Sequence, residues 1–137
     1  MPTAVGKPRQ QFRNIHISQI LQYRLPLPGI VSILHRVSGV LLFVVGLPFL
    51  LYLFQQSLTS EISFENYREV AAHPLSKLVL LALIWAYLHH TIAGLRHLAM
   101  DLHYGLEKQQ TKTTAGVVLA TSLVLTAFFG LKLFGAF

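Results

Sequence analysis

Three long apolar runs, set apart by two short polar stretches and preceded by a polar arm, give the chain its pattern. The runs extend from about Ile30 to Gln55, from about Pro74 to His103 and from about Thr113 to Phe137. Each is longer than the roughly 20 residues with which an α-helix crosses the hydrocarbon of a bilayer. The pattern predicts an all-α membrane protein, with an arm over residues 1–29 and a three-helix transmembrane domain over 30–137. Pro48, inside the first run, predicts a kink of the kind membrane helices tolerate. Residues 56–73 read as a polar loop, in which Glu61, Glu65 and Glu69 recur at the spacing of one exposed loop or helix face. A short loop with Glu107, Lys108 and Lys112 joins the second run to the third. In the arm, Ile15, Ile17, Ile20 and Leu21 predict a short interfacial helix with Ser18 as its N-cap. Pro26, Pro28 and Gly29 then break the chain ahead of the first span.

Composition agrees with lipid rather than water as the solvent. Hydrophobic residues make up 53% of the chain and charged residues 12%, too few for an ordinary soluble surface. The formal charge of +6 gathers in the arm, where Lys7, Arg9, Arg13 and Arg24 precede the first acid, Glu61. Such residues beside a span suit anionic headgroups or a partner protein. They form no aromatic-interleaved platform for nucleic acid. The same bias sets a direction: the arm and the second loop are basic and the first loop is acidic. The positive-inside rule therefore puts the N-terminus in the cytoplasm or matrix. The arm lacks the apolar core of a secretory signal, and its shortness favours the bacterial inner membrane over the mitochondrial one. With no cysteine in the chain, disulfides, thiolate chemistry and Cys-ligated metal centres are excluded within it.

Ionisable residues inside apolar runs are costly and point to function. On the second run, His90, Gly94, His97 and Asp101 share an arc of about 60° on one helix face, flanked by Ala86 and Ala93. On the first run, Ser32, Arg36, Gly39, Phe43 and Gly46 form a similar stripe, with His35 about 100° from Arg36. His90 lies about 10 Å deeper than His97 at 1.5 Å per residue, while His35, Arg36, Arg96 and His97 share one level near the cytoplasmic end. A haem fits that layout, with a deep imidazole on the iron and cationic groups facing its propionates. Plainer readings fit as well. A histidine can bond between helices, arginines can snorkel to headgroups, and His90, His97 and Asp101 can form a proton relay in a haem-free scaffold. Composition and geometry reach as far as a three-span protein with an internal polar site.

Two motifs go further. Ser32-Ile-Leu-His35-Arg36-Val-Ser38-Gly39 matches S-x-x-H-R-x-[ST]-G, and His90-Thr-Ile-Ala-Gly94-Leu-Arg96-His97-Leu-Ala-Met-Asp101 matches H-x-x-x-G-[IL]-R-H-x-x-x-D. By these the chain resembles the cytochrome b membrane-anchor subunits of succinate dehydrogenase, respiratory complex II. The likeness covers nearly the whole chain and is weakest in the first loop and the third span. It implies that His90 is an axial ligand of haem b, with the second ligand supplied by a partner anchor subunit. It implies that His35, Arg36 and His97 lie near the propionates, and that Ser32 and Arg36 belong to the ubiquinone site. Asp101 is expected to deliver protons or orient an arginine. His89 adjoins His90, but the spacing to Gly94, Arg96 and His97 selects His90. One departure stands out: the family usually has a small residue two after the aspartate, where this chain has His103. The implied partners are a second anchor, an iron–sulfur subunit, a flavoprotein and membrane lipids. The implied reaction passes electrons from succinate to ubiquinone, or the reverse in a quinol–fumarate reductase.

Overall fold

The computed structural model describes residues 16–135. Lys7, Arg9, Arg13 and Ile15 lie outside the described residues, and Ile20 and Leu21 are described in backbone only. A short helix, α1 (Ile17–Gln22), opens the described part. Its cap is His16 rather than the expected Ser18. The Ser18 amide donates to His16 Nδ1 at 3.3 Å, and Gln19 Oε1 accepts the His16 amide at 3.1 Å. Ser18 thus lies inside the first turn.

The first span is built from α2 (Leu27–Leu41), a π-helical turn (Leu42–Gly46) and α3 (Leu47–Thr59). It begins at Leu27, so Pro28 and Gly29 sit in its first turn instead of breaking the chain before it. Proline is tolerated there because that amide has no partner to lose. Pro48 leaves the carbonyl of Val44 without its α-helical donor, and its ring crowds that carbonyl. The ladder widens just ahead of it, and the Leu47 amide reaches back to the Leu42 carbonyl. The irregularity expected at Pro48 is expressed as a π-helical turn.

Residues 56–73 form no open loop. α3 continues to Thr59, and α4 (Glu61–Ala72) takes up most of the rest. Ser60 caps α4 reciprocally: its hydroxyl accepts the Ser63 amide at 3.1 Å, and Ser63 Oγ accepts the Ser60 amide at 2.8 Å. The four-residue spacing of the glutamates belongs to this helix. No residue of α4 is buried, so an apolar stripe could not announce it.

α5 (Pro74–Asp101) is capped by His73, whose Nδ1 accepts the Leu75 amide at 3.2 Å. It ends at Asp101, ahead of the expected His103. The closing bonds run from the His103 amide to the Met100 carbonyl (2.9 Å) and from the Tyr104 amide to the Ala99 carbonyl (3.0 Å). His103 stands between them at φ 65°, the left-handed position of a Schellman motif. α6 (Lys108–Leu133) begins before the expected Thr113.

Three helices are long and apolar enough to cross a membrane: Leu27–Thr59, Pro74–Asp101 and Lys108–Leu133. α2, α5 and α6 pack on one another around Val31, Ala93, Ala115 and Val118. Small residues dominate the seams, as expected where close van der Waals packing rather than water exclusion joins helices in lipid. Large apolar side chains such as Phe43, Val40, Leu95 and Leu98 point outward.

Candidate functional site

The site forms where α2 meets α5. His90 turns toward α2, and its Nδ1 lies 2.9 Å from the His35 carbonyl oxygen and 3.3 Å from Ser38 Oγ. The Ser38 hydroxyl donates to that same carbonyl at 2.9 Å. A carbonyl only accepts, so the proton of a neutral His90 belongs on Nδ1 and the lone pair on Nε2. Among the described residues no hydrogen bond engages Nε2. This is the arrangement found behind metal-ligating histidines, in which one ring nitrogen is tied to a carbonyl and the other is presented to the metal.

Other rings gather beside it. The His35 and His90 rings stack at 4.2 Å with planes 11° apart, and the His97 ring lies 5.1 Å from His35 at 52°. All three are half-buried. Of the residues that sequence placed near propionates, His35 and His97 therefore stand together at the haem-ligand candidate. Arg36 is exposed on the flank of α2. Ser32 is half-buried one turn before it. Neither has a hydrogen-bond or ion-pair partner among the described residues. An apolar groove lined by Val37, Val40, Leu41, Val44 and Val45 opens beside Arg36. The expected stripe on the first span divides: Gly39 and Gly46 face α5, while Phe43 points outward.

The neighbouring His89 is placed differently. It is fully buried, its Nδ1 pairs with Ser122 Oγ on α6 at 3.3 Å, and its ring stacks on Trp85 at 5.4 Å. Its Nε2 is buried without a hydrogen bond. A flat ligand on the outer side of the bundle has no path to it. Arg96, which shares a level with His97, is drawn inward too: it is 8% exposed. Its Nε donates to Thr114 Oγ1 at 3.0 Å, and an Nη donates to the Thr111 carbonyl at 3.2 Å. It clamps α5 to α6 instead of snorkelling. Asp101 is exposed at the end of α5, and among the described residues no arginine pairs with it. Among the described residues the one ion pair is Arg68–Glu65 on α4.

Two roles were missed from sequence. Ser38 appeared in the first motif without a function, and its place three residues after His35 was the signal, since both then face α5. For Arg96 the signal lay in Ala86, His89, Ala93 and Arg96, which alternate by three and four residues as a packed seam does.

Comparison with known proteins bears on what such a site does. The family model described as the succinate dehydrogenase/fumarate reductase transmembrane subunit matches residues 12–129. Among curated relatives is the succinate dehydrogenase cytochrome b556 subunit of Paracoccus denitrificans, 37% identical over 82% of this chain and 86% of its own. The cytochrome b556 subunit of Coxiella burnetii is 31% identical, covering 81% and 89%. That of Rickettsia felis is 32% identical, covering 76% and 80%.

Proposed function

The chain belongs to the succinate dehydrogenase/fumarate reductase transmembrane-subunit family, and we propose that it anchors a succinate:ubiquinone oxidoreductase, supplies one axial ligand to haem b and forms part of the ubiquinone site. It is a multi-pass subunit of the bacterial inner membrane, like its relatives. The observation that carries the haem reading is the hold on His90. Its Nδ1 is committed to the His35 carbonyl, which leaves Nε2 as the donor atom. Bound there, haem b supplies a one-electron carrier whose potential is set by ligation and burial.

The chain's own residues divide the remaining work. His35 and His97, packed beside His90, would offer ring N–H donors to the haem propionates, and the Arg36 guanidinium on the flank would balance their negative charge. The Ser32 hydroxyl donates to a quinone carbonyl, and Arg36 stabilises the negative charge that develops there on reduction. The apolar groove beside Arg36 suits the quinone's hydrocarbon tail. Asp101, exposed at the end of α5, passes protons toward the quinone. The basic arm and second loop lie on the cytoplasmic side. On that side a flavoprotein and an iron–sulfur subunit dock and oxidise succinate. A second anchor subunit completes the haem site. A haem-free relay along α5 is poorly supported, because the proton on His90 Nδ1 points at a carbonyl that cannot accept it covalently.

Purification through a tag on this chain tests the assignment. The reading expects flavin, non-haem iron, haem b and succinate:ubiquinone reductase activity to co-purify. An intact anchor that brings down neither flavin nor haem would contradict it.

A further inference from the structure

The χ2 torsion of a histidine is broad and roughly two-fold, so nothing in the His90 side chain itself selects the orientation of its ring. A flipped ring would carry Nδ1 away from α2 and put a carbon in its place. Two features of α2 set the ring's place: one opposes that flip, and the other leaves room for the ring. Ser38 is fully buried, and its hydroxyl is itself anchored by donation to the His35 carbonyl at 2.9 Å. With its proton so committed, Oγ turns a lone pair toward the His90 Nδ1–H at 3.3 Å. The Nδ1 proton therefore faces two acceptors, one from the main chain and one from a side chain. The second feature is Gly39. A Cβ at that position would lie 2.9 Å from His90 Cε1 and 3.3 Å from Nδ1, inside normal contact. Those ring atoms are pinned by their own hydrogen bonds and by the stacked His35 ring, so they cannot swing aside cheaply.

We propose that Ser38 and Gly39 are the positioning residues of His90: the Ser38 hydroxyl, together with the His35 carbonyl, fixes the ring proton on Nδ1 and the ring's rotation, and Gly39 leaves the space in which the ring stands. This rests on the reading of His90 as the haem ligand and gives a physical role to the last two positions of the first motif. Partners behind a metal-bound histidine typically matter about 10- to 100-fold in affinity for the bound group.

The test uses the assembled membrane complex carrying Ser38→Thr, Ser38→Val, Gly39→Ala or His90→Ala. Haem is measured per flavin, together with the electron paramagnetic resonance spectrum of the oxidised haem and its midpoint potential. Threonine and valine add the same bulk, so their difference reports the hydroxyl alone. Ser38→Thr is expected to keep the native spectrum, and Ser38→Val to move the g-values and the potential. Gly39→Ala is expected to lose haem about tenfold. A Ser38→Val complex that matches Ser38→Thr in spectrum and potential overturns the role of the hydroxyl. A Gly39→Ala complex with full haem and a native spectrum overturns the role of the glycine. His90→Ala separates the two levels. If it keeps the native haem signal, the ligand reading falls and the positioning proposal with it. If it loses the signal while the other variants stay native, only the positioning proposal falls.

Discussion

The carbonyl oxygen of His35 lies 2.9 Å from Nδ1 of His90. Through this contact the two sequence motifs, on different spans, become one site. It also sorts the paired histidines of α5. Among the described residues His90 has a main-chain partner on one nitrogen and none on the other, whereas His89 is closed inside the bundle against Ser122 and Trp85.

Ser32 and Arg36 have no hydrogen-bond or ion-pair partner among the described residues. Replacing either is expected to damage quinone chemistry, and replacing Ser32, which has no role at the propionates, should spare the haem. Ser32→Ala and Arg36→Ala should each lower succinate:ubiquinone reductase activity by about 100-fold, the scale of removing a donor aimed at developing charge. Succinate-dependent reduction of a soluble dye should stay near native in both variants, and the haem spectrum should stay near native in Ser32→Ala. Equal loss of both activities would place these residues in assembly instead.

Arg96 is expected to act on stability. Replacing it by Met removes two hydrogen bonds between α5 and α6. The loss should be about 1–3 kcal/mol, bounded by charged hydrogen bonds in proteins and the smaller values typical of membrane helices. Denaturant titration of the solubilised complex would measure it. A loss of haem with unchanged stability would instead assign the guanidinium to the propionates.

His103 holds a left-handed conformation, with φ 65°. His103→Gly should stabilise the end of α5 by about 1 kcal/mol, and His103→Val should destabilise it, because only glycine avoids the Cβ clash there. Thermal midpoints of the two variants give the comparison. The position is the C′ of a Schellman motif, with no bearing on the ligand spacing.

Gly130 offers a control for Gly39. A Cβ on it would meet the far end of Leu81, at 2.9 Å from Cδ1, and that flexible side chain can turn away. Gly130→Ala should therefore retain haem and cost about 1 kcal/mol or less, read from haem content and the same denaturant titration.

Much of this was legible in the sequence because lipid imposes simple rules. Long apolar runs with few charges reported the spans, and a helical period brought His90, Gly94, His97 and Asp101 to one face. What stayed hidden depended on particular contacts. α4 reads as a loop from sequence because a helix with no buried residue leaves no apolar stripe. Pro48 predicts a kink, whereas the feature seen just ahead of it is a π-helical turn, whose form depends on how the preceding carbonyls find donors. The inward course of Arg96 is settled by Thr111 and Thr114 on the next span. No periodicity within one helix reports such a partner. The division of labour between His89 and His90 likewise follows from which neighbour each ring meets.

The central claim is that His90 carries the haem iron. The most direct measurement is a reduced-minus-oxidised absorption spectrum of the purified complex, native and with His90→Ala or His89→Ala, using succinate and then dithionite as reductants. A haem b band that His90→Ala abolishes or shifts, and that His89→Ala leaves in place, is the predicted result. An unchanged band in His90→Ala, or the absence of haem from the native complex, would contradict the claim.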